Sequence, residues 1–512
     1  MNPLQLSKWC TATIICLSQL SVGLSISAVN IAMPSMMASL GASFDEIHWV
    51  LTAFLITRTV FMPTVGWLGS RIGNRNLFVL CTAIFAAGAF LCSLSWDANS
   101  LIVFRIIQAV GAGPLTAISM MIIFEAFPSH QRGLALGLFS GSWSIGPFIG
   151  AALGGYIAQQ IEWRAIFYIN VILGITAVVG GYTVFPKKNQ QDKAVPFDVL
   201  GFLTFTSGTI ALLLALTLGR KLGWGSPFIV TVFVLAFAML TCFVFLEFSV
   251  NDPFLELHCF RSLDFTLSNI LNFCRVFGFR GMEFLVSFFL QKCLNYTPLQ
   301  AGMFLLPGAA LTAVSSPLAG AISDRIGPVV IVVAGFCLLT IASYGLSLIS
   351  IWSGISLVLV FIGLQSVGQS CLNAPLNSVA LQALPETKAR MGSGIITMIR
   401  GLAECFGVAI MSVLLERQVF FNLSLTTPSS APYLSAPVRY ETTSQLQGLL
   451  IQAGETGLAL GAHLQSLLSY TLFTEALIRS FHNLFLMIGG LYLLMSLATA
   501  VFLRPAKKKI HR

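Results

Sequence analysis

Two acid–base pairs stand inside stretches of sequence that are otherwise almost wholly apolar: Arg400 with Glu404, and Arg280 with Glu283. At spacings of four and three, each pair falls on one face of a helix and can interact. A carboxylate beside an arginine and away from water feels two opposed effects, since desolvation raises its pKa and the cation lowers it. Such a group can exchange a proton when its surroundings change, or it can serve only to offset the burial of the arginine. Arg105 is a third ion of this kind, costing about 3 kcal/mol or more at mid-membrane depth. Plotted at about 100° per residue it shares an arc with Gln108, Thr116 and Ser119 and would face a central cavity. Its place near the start of an apolar run also suits an arginine reaching back to the interface. Gln365, Gln369, Asn373 and Asn377 follow at spacing four, an uncharged stripe able to hydrogen-bond a solute or to glue helices together. On the face of Arg280, Asn269 and Asn272 add further polar groups.

These residues need apolar elements around them. Of 512 residues, 56% are hydrophobic and 9% charged, where a soluble domain is roughly a quarter charged. Runs of the about 20 residues needed to cross a hydrocarbon core occur fourteen times, from 10–33 to 479–503. The expected fold class is therefore an all-α integral membrane protein. The first run is too long for a cleaved leader and lacks a cleavage site, so it is expected to remain as an anchor. The cysteines, eleven in all, lie mostly inside apolar runs and read as small core residues. With a cytoplasmic N-terminus, sixteen Lys and Arg fall on inner loops and six on outer ones, so the positive-inside rule puts both termini in the cytoplasm. The net charge of +9 follows this topology instead of gathering on one domain. No nucleic-acid partner is expected, only membrane lipid and a small-molecule substrate. Neither a phosphate loop nor a nucleophile triad nor a metal cluster is visible, which argues against an enzyme, a metal site or ATP drive.

One short polar loop is written twice: GWLGSRIGNR at 66–75 and GAISDRIGP at 320–328. Gly66, Ser70, Arg71 and Gly73 of the first copy match Gly320, Asp324, Arg325 and Gly327 of the second. Topology explains the arginines but not the shared order, so two homologous halves are implied, a common way to build alternating access around a midplane site. The division is residues 1–189 for one six-helix half, 190–260 for two linker spans, and 261–512 for the other half. That second half includes an outer segment, 418–478, whose later part has a helix-like rhythm suited to the membrane surface or the outer mouth. On the fifth span, Gly137 and Gly141, then Gly146, Gly150 and Gly154, are spaced by four and would let neighbouring backbones approach; Pro147 would kink that helix.

In order and place these motifs resemble the major facilitator superfamily, and within it the fourteen-span drug:proton antiporters of the EmrB/QacA type. The two loops look like the family's G-x-L-a-D-R-x-G-r-r motif, RIIQAVGAG (105–113) is similar to its fourth-span motif, and GSWSIGPFIG (141–150) to its antiporter motif, with Gly141, Gly146, Pro147 and Gly150. VNIAMP, WVLTAFL, WRAIFYIN and DPFLELHCFRSLDF are similar to this branch in particular. The resemblance implies the major facilitator fold and an inner-membrane efflux transporter of amphipathic organic compounds, driven by a proton gradient with no bound cofactor. It assigns proton transfer to Arg105 and allows a periplasmic adaptor and outer-membrane channel as partners. An exporter of one metabolite or siderophore-like product, or an uncoupled facilitator, fits the same motifs. The chain departs from the pattern twice. Ser25 stands where the family's first-span signature has an Asp, and Ser70 where the first loop has one. Ser70 can cap a helix, but only Asp324 can form the charged lock. Proton coupling is thereby expected to move to Glu404 or Glu283, with Arg400 and Arg280 as partners, while Ser25, Gln108, Gln365, Gln369 and Asn373 are candidates to line the substrate cavity.

Overall fold

The computed structural model describes residues 3–186, 198–250, 253–350, 353–385, 388–426 and 457–502. Among these residues there are fifteen α-helices and no strand. They are α1 (Pro3–Leu40), α2 (Phe44–Phe61), α3 (Val65–Ile72), α4 (Asn74–Ser93), α5 (Ala98–Ala126), α6 (Arg132–Gln160), α7 (Ala165–Val184), α8 (Val199–Leu222), α9 (Pro227–Ser249), α10 (Leu263–Lys292), α11 (Pro298–Ile326), α12 (Pro328–Ser347), α13 (Ile355–Gln382), α14 (Ala389–Thr426) and α15 (Gly457–Phe502). Every expected apolar run falls in one of them, α2 and α3 sharing the second. Twelve helical stretches among the described residues are long and apolar enough to cross a membrane. The fifth and ninth expected spans, α6 and α10, have 29 and 30 residues but are not among the twelve. In α10 the apolar run is broken by Asn269, Asn272, Arg275, Arg280 and Glu283.

Local chemistry sets the helix starts. Ser43 and Glu46 form a reciprocal capping box at α2, Asp97 and Ser100 one at α5, and Thr297 and Gln300 one at α11, each satisfying N–H groups that the first turn leaves open. The Ser100 hydroxyl and N–H together hold the Asp97 carboxyl below its usual range. Both copied loops turn on a glycine at positive φ, Gly73 at 81° and Gly327 at 98°. The N–H of Gly73 closes α3 on Gly69 O at 3.0 Å, and that of Gly327 closes α11 on Ser323 O at 2.9 Å. The next helix begins at the following residue in both cases, which a side chain at that φ would strain.

In one half, α1 packs on α6 and α7, α4 on α5 and α7, and α2 on α5; in the other, α10 packs on α13 and α14, and α12 on α13 and α15. Two seams join them, α6 against α11 and α14 against α3 and α5. Helices α8 and α9 pair with each other, and Leu213 and Leu216 of α8 cluster with Ile56 and Val60 of α2 and with Leu402 and Phe406 of α14.

The described ends of the anticipated outer segment are helical. Residues 418–426 extend α14 to 38 residues and 457–478 begin the 46-residue α15. At about 1.5 Å per residue these helices run roughly 57 and 69 Å, about twice a hydrocarbon core. They are joined near the ends of their apolar stretches, where Asn422 Nδ2 donates to Ser480 Oγ at 2.8 Å. The part of the segment at 427–456 lies outside the described residues.

Candidate solute cavity and gate

A cavity of about 120 Å³ opens between the halves. Its polar wall comes from α10, α13 and α14 (Arg275, Arg280, Glu283, Gln365, Gln369, Asn373, Arg400 and Glu404), and its apolar wall includes Trp143 and Pro147 of α6 and Phe279 of α10.

The ionic core of this wall differs from the two separate pairs anticipated. Arg280 Nη1 binds Glu283 Oε2 at 2.7 Å, as the i,i+3 spacing suggests, and its Nη2 reaches across to Glu404 Oε1 at 3.4 Å. One guanidinium thus ties α10 to α14. The expected Arg400–Glu404 pair is not formed; Arg400 Nε is buried without a hydrogen-bond partner. The cross-helix contact wins because α10 and α14 pack directly on each other.

The Gln/Asn stripe splits in two. Asn377 is structural, and Asn373 both lines the cavity and bonds to it: Asn377 Nδ2 donates to Asn373 Oδ1 at 3.2 Å, and Asn272 Nδ2 to Asn377 Oδ1 at 2.9 Å. Asn272 Oδ1 in turn accepts Arg275 Nη2 at 2.6 Å, with Asn373 Oδ1 a further acceptor at 3.4 Å. Gln365 and Gln369 line the cavity, and Gln369 Oε1 has no partner. Asn269 turns back to Phe265 O.

Ser25, Arg105 and Gln108 do not line this cavity, contrary to expectation. Arg105 is fully buried within its own half, so it does not snorkel either. Its Nη1 donates to Ser25 Oγ at 2.9 Å and Gln108 Oε1 at 2.7 Å, and its guanidinium stacks 4.0 Å from the Phe54 ring centre. Two residues at the site were not singled out from sequence. Arg275 is the partner of Asn272 three residues before it, a spacing visible in the chain. Arg58 lies buried 4.4 Å from the centre of the Trp143 ring, a contact between α2 and α6 that no local pattern announces.

The copied loops and the glycine helix close the end of the bundle below the cavity. Asp324 Oδ1 accepts the N–H of Gly133 at 2.8 Å and Oδ2 that of Leu134 at 3.0 Å, so the second loop caps the start of α6 across the seam. A carboxylate is well placed at a helix N-terminus, where open N–H groups and the macrodipole attract it. Ser70, its counterpart, instead donates to Trp67 O in its own helix. Gly320 meets the Gly133 backbone, while the matching Gly66 meets the Met391 side chain at the start of α14. The two glycine groups of α6 serve different neighbours. Gly133, Gly137 and Gly141 face α11; a Cβ on Gly141 would lie 2.8 Å from Ala313 O. Gly146 and Gly150 face α1, each with a Cβ position 2.8 Å from a carbonyl oxygen there. The helix runs on through Pro147.

Two apolar halves, a polar cavity between them and a gate at one end define a membrane transporter. The chain belongs to the Major Facilitator Superfamily, whose family model matches residues 15–207 and 199–408. It is 31% identical over 435 residues to the riboflavin transporter RibZ of Clostridioides difficile (strain 630), covering 85% of this chain and 94% of that one. To the multidrug export protein EmrB of Escherichia coli (strain K12) it is 26% identical over 481 residues, covering 93% and 91%. The solved structure of the proton:xylose symporter XylE shares the fold, with a TM-score of 0.59 at 15% identity over 98% of this chain and 97% of the other.

Proposed function

We propose that the protein exports amphipathic organic compounds by alternating access, in antiport with protons. The reading rests above all on Arg280, one cation shared by acids from two helices at the cavity wall. Protonating Glu404 would cancel its attraction to Arg280 and loosen α10 from α14, which couples a proton to the shape of the solute site. Glu283 is the second carrier on the same arginine. The loop charges support the place of both termini in the cytoplasm, and the similarity to multidrug export proteins supports outward transport and the substrate class. An inner-membrane location and docking of a periplasmic adaptor with an outer-membrane channel belong to the same reading. The alternative is a carrier dedicated to one metabolite, favoured by the similarity to a riboflavin transporter, with or without coupling.

Reconstitution into liposomes with an internal pH-sensitive dye tests the reading. Addition of an exported compound should move protons in the opposite direction, and Glu404→Gln and Glu283→Gln should uncouple the two movements. Solute flux with no proton flux sinks antiport and leaves transport standing. If both variants keep coupled flux at the parent rate, neither acid is the carrier.

A further inference from the structure

We infer that the solute carries an anionic group, held in the cavity by Arg400 and Arg275. This deepens the export reading and rests on it for the cavity being the solute site.

The charge balance of the wall carries the argument. Three arginines and two glutamates line the cavity. Both carboxylates are engaged by the same arginine, Arg280. That leaves Arg275 and Arg400 without an acid in hydrogen-bond contact. Arg275 is about 1% exposed and bonds only the neutral oxygens of Asn272 and Asn373. Arg400 Nε has no partner. Arg58 adds a further buried cation behind Trp143, again with a neutral partner, the indole face. Glu404 also acts electrostatically on Arg400 and Arg58, so two carboxylates are shared among four cations, and a molecule that brings further negative charge recovers part of the cost of withdrawing those cations from water. Guanidinium groups suit a carboxylate, sulfonate or phosphate, which they can bind through two parallel hydrogen bonds.

Other lining groups fit the remainder of such a molecule. Gln369 is 8% exposed with its Oε1 unbonded, and Gln365 lines the wall one turn above it, so both amides are available to polar substituents. Trp143, Phe279 and Ile362 give flat and branched apolar surface nearby. The cargo is thus an amphipathic organic anion and not a lipophilic cation, which the arginines would repel. Its charge also bears on drive. In a membrane negative inside, outward passage of a negative charge is electrically downhill, so an anion can leave even where an acid such as that replaced by Ser25 is missing.

Fluorescein and rhodamine 123 share a xanthene ring system and differ in charge, which makes them suitable probes. Their binding to the purified full-length protein in detergent is measured by fluorescence anisotropy at low salt. Fluorescein is expected to bind at least tenfold more tightly than rhodamine 123. Arg400→Gln should weaken fluorescein at least tenfold and Arg400→Lys by less, with rhodamine binding unchanged or improved. Equal or tighter binding of rhodamine by the parent protein, or no binding of fluorescein, overturns the inference without recourse to any variant. Fluorescein that binds in detergent but is not moved in liposomes leaves the anion site intact and removes the export reading.

Discussion

Asp324 accepts the backbone N–H of Gly133 at 2.8 Å, a contact that helps fasten the second copied loop of one half to the first turn of α6 in the other. Its other oxygen takes Leu134 N–H. Hydrogen bonds to a charged acceptor contribute about 1.5–3 kcal/mol each. Asp324→Asn keeps the shape but loses the charge and one acceptor, so it should slow transport several-fold, whereas Ser70→Ala removes only a bond within α3 and should leave the rate within a factor of two. Comparable small effects in the liposome flux assay would refute the asymmetry.

The α6 glycines give a second expectation. A methyl group on Gly137 would run into the backbone of Ser316 and Pro317, whereas one on Gly155 meets only Ile31 Cγ2 at 3.7 Å. Overpacking of this sort costs about 1–3 kcal/mol. Gly137→Ala should therefore disfavour the form closed at the loop end, read as faster alkylation of a cysteine placed beside Ser70, while Gly155→Ala leaves the rate unchanged. No change in either variant would mean that the seam yields freely.

Glu404 and Glu283 are expected to be unequal. Glu404 is 20% exposed and Glu283 38%, so water screens the second acid more strongly. Glu404→Gln should reduce proton-coupled flux by an order of magnitude or more and Glu283→Gln by a smaller factor. Arg280→Gln should be worse than either, because it strands both carboxylates. Rates in the reverse order would identify Glu283 as the main carrier.

Ser25→Asp should stabilise the protein. Arg105 Nη1 already reaches Ser25 Oγ at 2.9 Å, and Nη2 is buried with no partner. An aspartate offers two oxygens to that fork, and a charge-assisted bond contributes about 1.5–3 kcal/mol. The melting temperature of the detergent-solubilised protein should rise; a fall would show that the pocket cannot hold the larger side chain.

The sequence made some of this legible and hid the rest for a physical reason. Gly73 and Gly327 could be read as paired turns because each acts locally, through its own φ. Arg280 with Glu283 was legible from helical spacing. The same rule misassigned Glu404 to Arg400, since a neighbour four residues away on one helix competes with a residue 124 positions away whose side chain arrives only when α10 packs on α14. Arg105 was rightly marked as an ion inside apolar surroundings, but its partner Ser25 lies 80 positions off, and no periodicity tells whether a polar arc faces a cavity or the interior of its own half. Arg58 escaped notice because its partner is an aromatic face. In the outer segment, the helical rhythm agrees with α15 from Gly457 onward, while the continuity of that helix into the last span was not legible, as nothing in a polar–apolar pattern marks where a helix leaves the membrane.

The unlike copies of the loop have a mechanical consequence. Where α11 meets α6, backbone lies against backbone and a carboxylate rivets the joint; where α3 meets α14, Gly66 and Gly69 rest on the long side chains of Met391 and Arg390. Long side chains can swing aside by changing rotamer, but backbone cannot. The two halves should then part as a door does, swinging from the stiff α6–α11 edge as its hinge post and gaping first along the α3–α14 edge.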